Sequence, residues 1–411
     1  MIEEKDKISF LLVFIVLMYV FVGSILVTYN IINIRFYGVV FAFFGVALLI
    51  NYIMNNNKKN HYEIIAIILS ILSILSCLTA TSIPDALFGL KSRGEGLFVI
   101  LTYYILFLNC LNIKNNKFVN IIIYTILIIG GINILYGIFQ IDFIDINYIK
   151  NKWYYAKGLL GNSMSFGALM SLCYPIVLSL FLNSEKKNKI LNFLLLLIFS
   201  IGVVIAGTMS CFVSIVAIIL FAIFTIIKEK KEILSKIIPI IICIITLISV
   251  FLLISIKKTD LTKDIKELFQ QTSNITEGKI DDEYGTGRIY IWKNTIDKII
   301  ENPFGVGIDN YKYAFDKPIV DKISGLTVTK AHNDYLQKIL CEGILTGIIY
   351  IFLLLYIFFK KLNVKKDKLE YGLYLSFICY SINIFFTISV TRVAPIYFII
   401  LGLVGGLDEK N

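Results

Sequence analysis

Charge is what this sequence has least of for its length. Of 411 residues, 17% are Asp, Glu, Lys or Arg, where a soluble chain carries about a quarter. That deficit excludes an ordinary globular domain. The seven cysteines form no CxxC pair and sit in or beside apolar runs. No zinc site or disulfide framework can be argued from such spacing, and they read as small hydrophobes. No unit of roughly 20–50 residues recurs, which excludes a solenoid or propeller. Nor is there a matching pair of interrupted helices, the mark of inverted-repeat transporters. No small-residue cleavage site follows the opening apolar run, so its reading is a retained first span rather than a signal peptide. Histidine occurs only twice.

What is present is apolar. Hydrophobic residues make up 57% of the chain and aromatics 14%. Runs of roughly 20 apolar residues, the length a helix needs to cross a bilayer, recur throughout. Candidate spans fall at about 8–28, 36–54, 62–81, 96–113, 118–139, 164–182, 189–207, 208–227, 233–256, 335–359, 370–389 and 394–407. The fold class that follows is an all-α polytopic membrane protein with about 12 transmembrane helices. Residues 1–256 hold the first nine, 257–334 form one long, partly helical extracytoplasmic loop, and 335–411 hold the last three.

The lysines set the orientation. One set of alternate loops, with the termini, is rich in them: Lys5, Lys7, Lys58, Lys59, Lys186, Lys187, Lys230, Lys231, Lys360, Lys361, Lys365 and Lys366 are examples. The other set, the long loop aside, has far fewer basic residues. The positive-inside rule places the rich set and both termini in the cytoplasm and turns the long loop outward. The net charge of +10 is then a topogenic signal beside anionic headgroups, not a nucleic-acid footprint. His61, beside the cytoplasmic lysines, reads as solvated.

The outward polar residues are the candidates for chemistry. Arg93 and Glu95 lie in Lys91-Ser-Arg-Gly-Glu-Gly96, where glycines allow a close backbone approach. Lys157 and Asn162 lie in Lys157-Gly-Leu-Leu-Gly-Asn162, before the sixth span, and Arg392 precedes the last. Lys150 and Lys152, among aromatics, read as snorkelling anchors. In the long loop Ile289, Trp292, Ile296, Ile299 and Ile300 recur at helical spacing up to Pro303, which predicts an amphipathic helix. Arg288 stands in its first turn, where bare N–H groups and a guanidinium fork suit a phosphate. His332-Asn333 opens the tenth span, with Gln337 on the face of Asn333. An imidazole is the natural proton acceptor at neutral pH. Asp281-Asp-Glu283 reads as a solvated acidic turn, with a divalent metal as the alternative.

With these residues in view, the sequence resembles the O-antigen ligase and O-antigen polymerase family of bacterial membrane glycosyltransferases. The matches are Arg93-Gly-Glu-Gly, Gly161-Asn-Ser-Met-Ser-Phe-Gly167, Thr208-Met-Ser210, and Gly287-Arg288 with Trp292. Asn302-Pro-Phe-Gly-Val-Gly307 and His332-Asn-Asp-Tyr-Leu-Gln337 with Glu342-Gly343 follow, and are the most specific. The resemblance implies a GT-C-like enzyme of the cytoplasmic (inner) membrane. It would move a glycan from an undecaprenyl-diphosphate-linked oligosaccharide to a glycan acceptor, inverting, without metal or other cofactor. The lipid bilayer and a chain-length regulator are the further partners implied. It assigns the diphosphate to Arg288 and acceptor activation or leaving-group support to His332, with substrate contacts at Arg93, Glu95, Lys157, Asn162, Asn333, Gln337 and Arg392. One departure stands out: Cys211 occupies the place of a usual second arginine. The diphosphate would then lean on Arg93, Lys157 or Arg392, and Cys211→Arg is expected to be tolerated.

Two other readings stay open. A transporter or flippase would use the outward basic residues as a vestibule, although the spans hold few ionisable residues. A metal-dependent glycosyltransferase would use Asp281-Asp-Glu283.

Overall fold

The structure is a computed structural model that describes residues 2–55, 60–142, 155–229, 241, 244, 287–317, 319–320, 327–363 and 367–407. Its helices are α1 (Ile2–Thr28), α2 (Ile34–Asn55), α3 (His61–Ser76), α4 (Ile83–Phe88), α5 (Leu97–Leu111), α6 (Asn116–Asp142) and α7 (Ser163–Leu182). After them come α8 (Lys189–Ala206), α9 (Met209–Glu229), α10 (Arg288–Glu301), α11 (Asp334–Glu342), α12 (Ile344–Leu362), α13 (Lys368–Asn383) and α14 (Ala394–Gly405). Eight of them are long and apolar enough to cross a membrane: α1, α2, α3, α6, α7, α8, α9 and α12. The chain is a multi-pass membrane protein.

Short polar signals start and stop these helices. Asn60 and Glu63 cap α3 reciprocally, and Asp367 and Glu370 do the same for α13. Each such cap stabilises its helix by about 1 kcal/mol. The bundle is built around α7, whose span is 94% buried. On it lies α13. A Cβ on Gly372 would sit 2.9 Å from the Ile176 Cα, so only glycine permits this crossing. Ser376 Oγ and Ser179 Oγ then donate across the seam to the Leu172 and Lys368 carbonyls, each at 2.6 Å. Small residues and hydroxyl bonds of this kind are how helices associate where lipid removes the hydrophobic drive.

The expected spans are largely present, with differences. Those at 96–113, 370–389 and 394–407 are the shorter helices α5, α13 and α14. The one at 233–256 lies outside the described residues, as do Lys150, Lys152 and Asp281-Asp-Glu283. The tenth, expected at 335–359, is corrected. Gly343 has φ +95°, a conformation that side chains resist, and it divides the run into α11 and the true span α12. His332-Asn333 therefore opens a nine-residue polar helix, not a span.

The segment between α9 and α12 has a core of its own among the described residues. Ile291, Ile299, Val306, Tyr311, Val328, Ala331 and Leu340 cluster between α10, the segment after it and α11. Thr295 and Tyr311 share a hydroxyl bond of 2.8 Å inside it. The buried face of α10 is Ile291, Thr295 and Ile299. Ile296, Ile300 and Phe304 are left exposed.

Candidate active site

The predicted amphipathic helix is α10, and Gly287 at φ +76° begins it without a side-chain cap. Its first-turn N–H groups thus have no capping oxygen, a positive helix end by construction. Arg288 is half-buried there, and burial lowers its guanidinium pKa. Among the described residues no carboxylate lies within ion-pair distance of it.

His332 sits on the adjoining element. Its φ is +52°, an uncommon conformation for a residue with a side chain. Both flanks of the turn are pinned. Ala331 N donates to Gln337 Oε1 at 2.9 Å. Asn333 Oδ1 caps α11, accepting from Tyr335 N and Leu336 N at 3.0 and 3.1 Å. Asp334 N donates to the Ile384 carbonyl, and Asp334 Oδ1 accepts from Ser389 N. Tyr335 OH reaches the Ser381 carbonyl at 2.8 Å.

An aromatic chain joins the two elements. Trp292, one turn after Arg288, meets Phe385 edge-on at 5.6 Å, and Phe385 lies 6.3 Å from Tyr335, three residues after His332. Tyr335 and Phe385 also line the mouth of an apolar groove of about 350 Å³ between α12 and α13.

Residues 193–351 match the family model described as O-Antigen ligase. That stretch of the chain is similar to the O-antigen ligase family. No curated protein matches the chain. The matched stretch runs from within α8 into α12, so it includes Arg288, His332, Asn333 and Gln337. Arg93, Glu95, Lys157, Asn162 and Arg392 lie outside the matched stretch.

Beside the histidine turn, the structure gathers charges that sequence reasoning passed over. Lys330 Nζ pairs with Glu95, both about 95% buried. Lys338 and Glu342, at i,i+4 on α11, pair at 2.5 Å. Ser73 Oγ donates to Glu342 at 2.5 Å, and Lys338 donates to Tyr104 OH at 3.0 Å. Burial lowers the Lys330 pKa, but Glu95 and Asp309 more than offset it and the ammonium ends raised. A cavity of about 50 Å³ lies among Glu95, Asp309, Lys330, Asp334, Lys338 and Tyr380. It suits a water or two and is far too small for a sugar. Burial pushes the Asp309 carboxyl up to about 6, against the pull of Lys330. Asp334 also rises to about 6, through burial and then the nearby Glu95.

Several expected substrate contacts are engaged by the protein itself. Glu95 accepts from Lys330, Tyr103 OH and Ser389 Oγ. Its glycines serve the chain: a Cβ on Gly94 would fall 2.4 Å from the Ile34 carbonyl. Asn333 and Gln337 are occupied as described, and Gln337 Nε2 also reaches Cys341 Sγ. Asn162 caps α7, and Lys157 is exposed. Arg392 donates to the Leu160 carbonyl and to Thr28 Oγ1, and burial lowers its pKa. It ties the turn before α7 to α1. Among the described residues, Arg93 reaches only Thr329 Oγ1, at 3.2 and 3.4 Å.

Cys211 is fully buried where α9 meets α7, its Cβ 3.3 Å from where a Cβ on Gly167 would be. There is room for a thiol and none for a guanidinium. The expected tolerance of Cys211→Arg is therefore withdrawn. The scarcity of charge in the membrane run also fails at α11. The signal was there: Lys338 and Glu342 at i,i+4 in a stretch read as a span mark a segment that is no ordinary span.

Proposed function

We propose that this protein transfers a glycan from an undecaprenyl-diphosphate carrier to a saccharide or other acceptor at the outer face of the cytoplasmic membrane. Both termini are then cytoplasmic. The observation that carries this reading is that Trp292, Phe385 and Tyr335 pack the element that begins at Arg288 against the one that follows His332, both residues lying in the stretch that matches the O-antigen ligase model.

The chemistry is an inverting displacement independent of metal. His332 takes the proton of the acceptor hydroxyl as its oxygen bonds to the anomeric carbon. The bond from that carbon to the diphosphate breaks, and the diphosphate leaves with the electron pair. Arg288 and the uncapped N–H groups of α10 stabilise the negative charge that develops there. The apolar groove between α12 and α13 offers the carrier's polyprenyl tail a place in the bilayer. Ile296, Ile300 and Phe304 let α10 rest on the membrane surface above it.

The test is incubation of the purified protein with a defined undecaprenyl-diphosphate oligosaccharide, with and without chelator, followed by sizing of the products. A ladder identifies a polymerase, and a single addition to a separate acceptor identifies a ligase. Release of the intact lipid-linked donor across vesicles, with no new glycosidic bond, would overturn the reading in favour of a flippase.

A further inference from the structure

His332 does not hold its left-handed turn alone. Two residues upstream, Lys330 is buried and reaches the Glu95 carboxylate and, at 3.5 Å, the Ser389 carbonyl. Two residues downstream, Asp334 takes the Ser389 N–H. Ser389 Oγ in turn donates to Glu95 at 3.2 Å. Glu95 is thus the point at which the chain before the histidine, the segment after α13 and the middle of α5 (through Tyr103) converge. The glycines flanking it fit against backbone on both sides, Gly94 on Ile34 and Gly96 on Leu87 and Gly89. The carboxylate therefore has little freedom to follow a moving partner. A left-handed non-glycine residue persists only where its surroundings over-determine it, and the bond from Glu95 to Lys330 is the strongest of those surroundings.

We infer that Glu95 is a positioning residue for His332: its buried ion pair with Lys330 fixes the turn that presents the imidazole to the reacting hydroxyl. The inference rests on His332 being the proton acceptor. It assigns Glu95 no contact with substrate.

The test uses the full-length protein in nanodiscs, in a His61→Gln background. His61 is exposed at the start of α3, away from this cluster, so histidine-selective isotope labelling then reports His332 alone. In Glu95→Gln the His332 resonance should shift and broaden. With a defined undecaprenyl-diphosphate oligosaccharide as donor, kcat should fall by roughly 10²-fold, the cost of a small misplacement of a catalytic group, with KM for the donor within about twofold. Glu95→Gln/Lys330→Gln removes both members of the pair together, so neither is left without the other, and lets two amides bridge the same gap. It should recover part of both the resonance and kcat, and it carries the test if the single variant does not fold. An unchanged His332 resonance in a folded Glu95 variant overturns the inference, whether kcat falls or not. If the parent transfers nothing from this donor, or His332→Ala stays active, the reading of His332 as the base fails instead. The resonance still decides whether Glu95 sets its position.

Discussion

The two helices that frame the candidate site treat charge in opposite ways. On and just before α11, the lysines are buried against carboxylates, Lys330 on Glu95 and Lys338 on Glu342. On α10, Arg288 heads an uncapped helix with no acidic partner among the described residues. The first arrangement fixes shape, because a buried ion pair holds its two elements in one register. The second keeps a cation able to respond to an arriving anion. The number of charges in a region does not locate chemistry here. The informative quantity is how many lack an internal partner.

The comparison can be broken most forcefully at the histidine between the two helices. His332→Ala should lower transfer by about 10²–10⁴-fold with the protein still folded, the contribution of a general base. A near-normal rate would leave the turn purely structural. On the α11 side, Lys338→Met should cost stability rather than chemistry, about 3–5 kcal/mol, since it strands a buried Glu342. Lys338→Met/Glu342→Leu should recover most of it. Equal denaturation midpoints for the single and double variants would show that the pair is not coupled.

On the α10 side the expectation reverses. Arg288→Ala should lose about 10²–10³-fold in rate with little change in stability. Arg288→Lys should also be impaired, because a point charge cannot reproduce the planar fork. Nearly full activity in the lysine variant would remove bidentate phosphate recognition from the account.

The smallest effect is expected at Asp309. Its Oδ2 accepts from Leu90 N at 2.6 Å, while among the described residues Oδ1 has no hydrogen-bond partner. With the carboxyl pushed up to about 6 from 3.8, the folded state holds the proton more tightly than the unfolded chain does. Its contribution to stability is present below about pH 4 and is lost as pH rises through about 6. Asp309→Asn should therefore match the parent at pH 4 and exceed it by about 1–3 kcal/mol at pH 8. Thermal midpoints across that range would show it, and a constant difference would place the effect elsewhere.

What could be read from the sequence follows from how local each signal is. Apolar length announced the long helices, and the six-residue motif at His332 and the glycine before Arg288 pointed to the two positions proposed to react. The break at Gly343 was masked because Ile339-Leu-Cys341 continues the apolar run into α12. Glu95 was read as a substrate contact because its partner is 235 residues away, a pairing that no window over the sequence contains. Asn333 and Gln337 looked free for the same reason in miniature. Their acceptors are used up by the backbone of a turn whose left-handed residue composition does not announce.

The same separation has a consequence in time. Glu95 leaves the ribosome 235 residues ahead of Lys330. At about 5–20 residues per second its carboxylate waits roughly 10–50 s for its counter-ion. The turn at Asn302–Gly307 is also made before the helix whose end it covers, its Val306 and Gly307 N–H groups donating to the Leu340 and Cys341 carbonyls. The histidine turn can lock only once nearly the whole chain has been synthesised, since Asp334 waits for Ser389. A nascent or truncated chain therefore holds the parts of the histidine turn without its assembled form, and on the proposed function it stays inactive until synthesis ends.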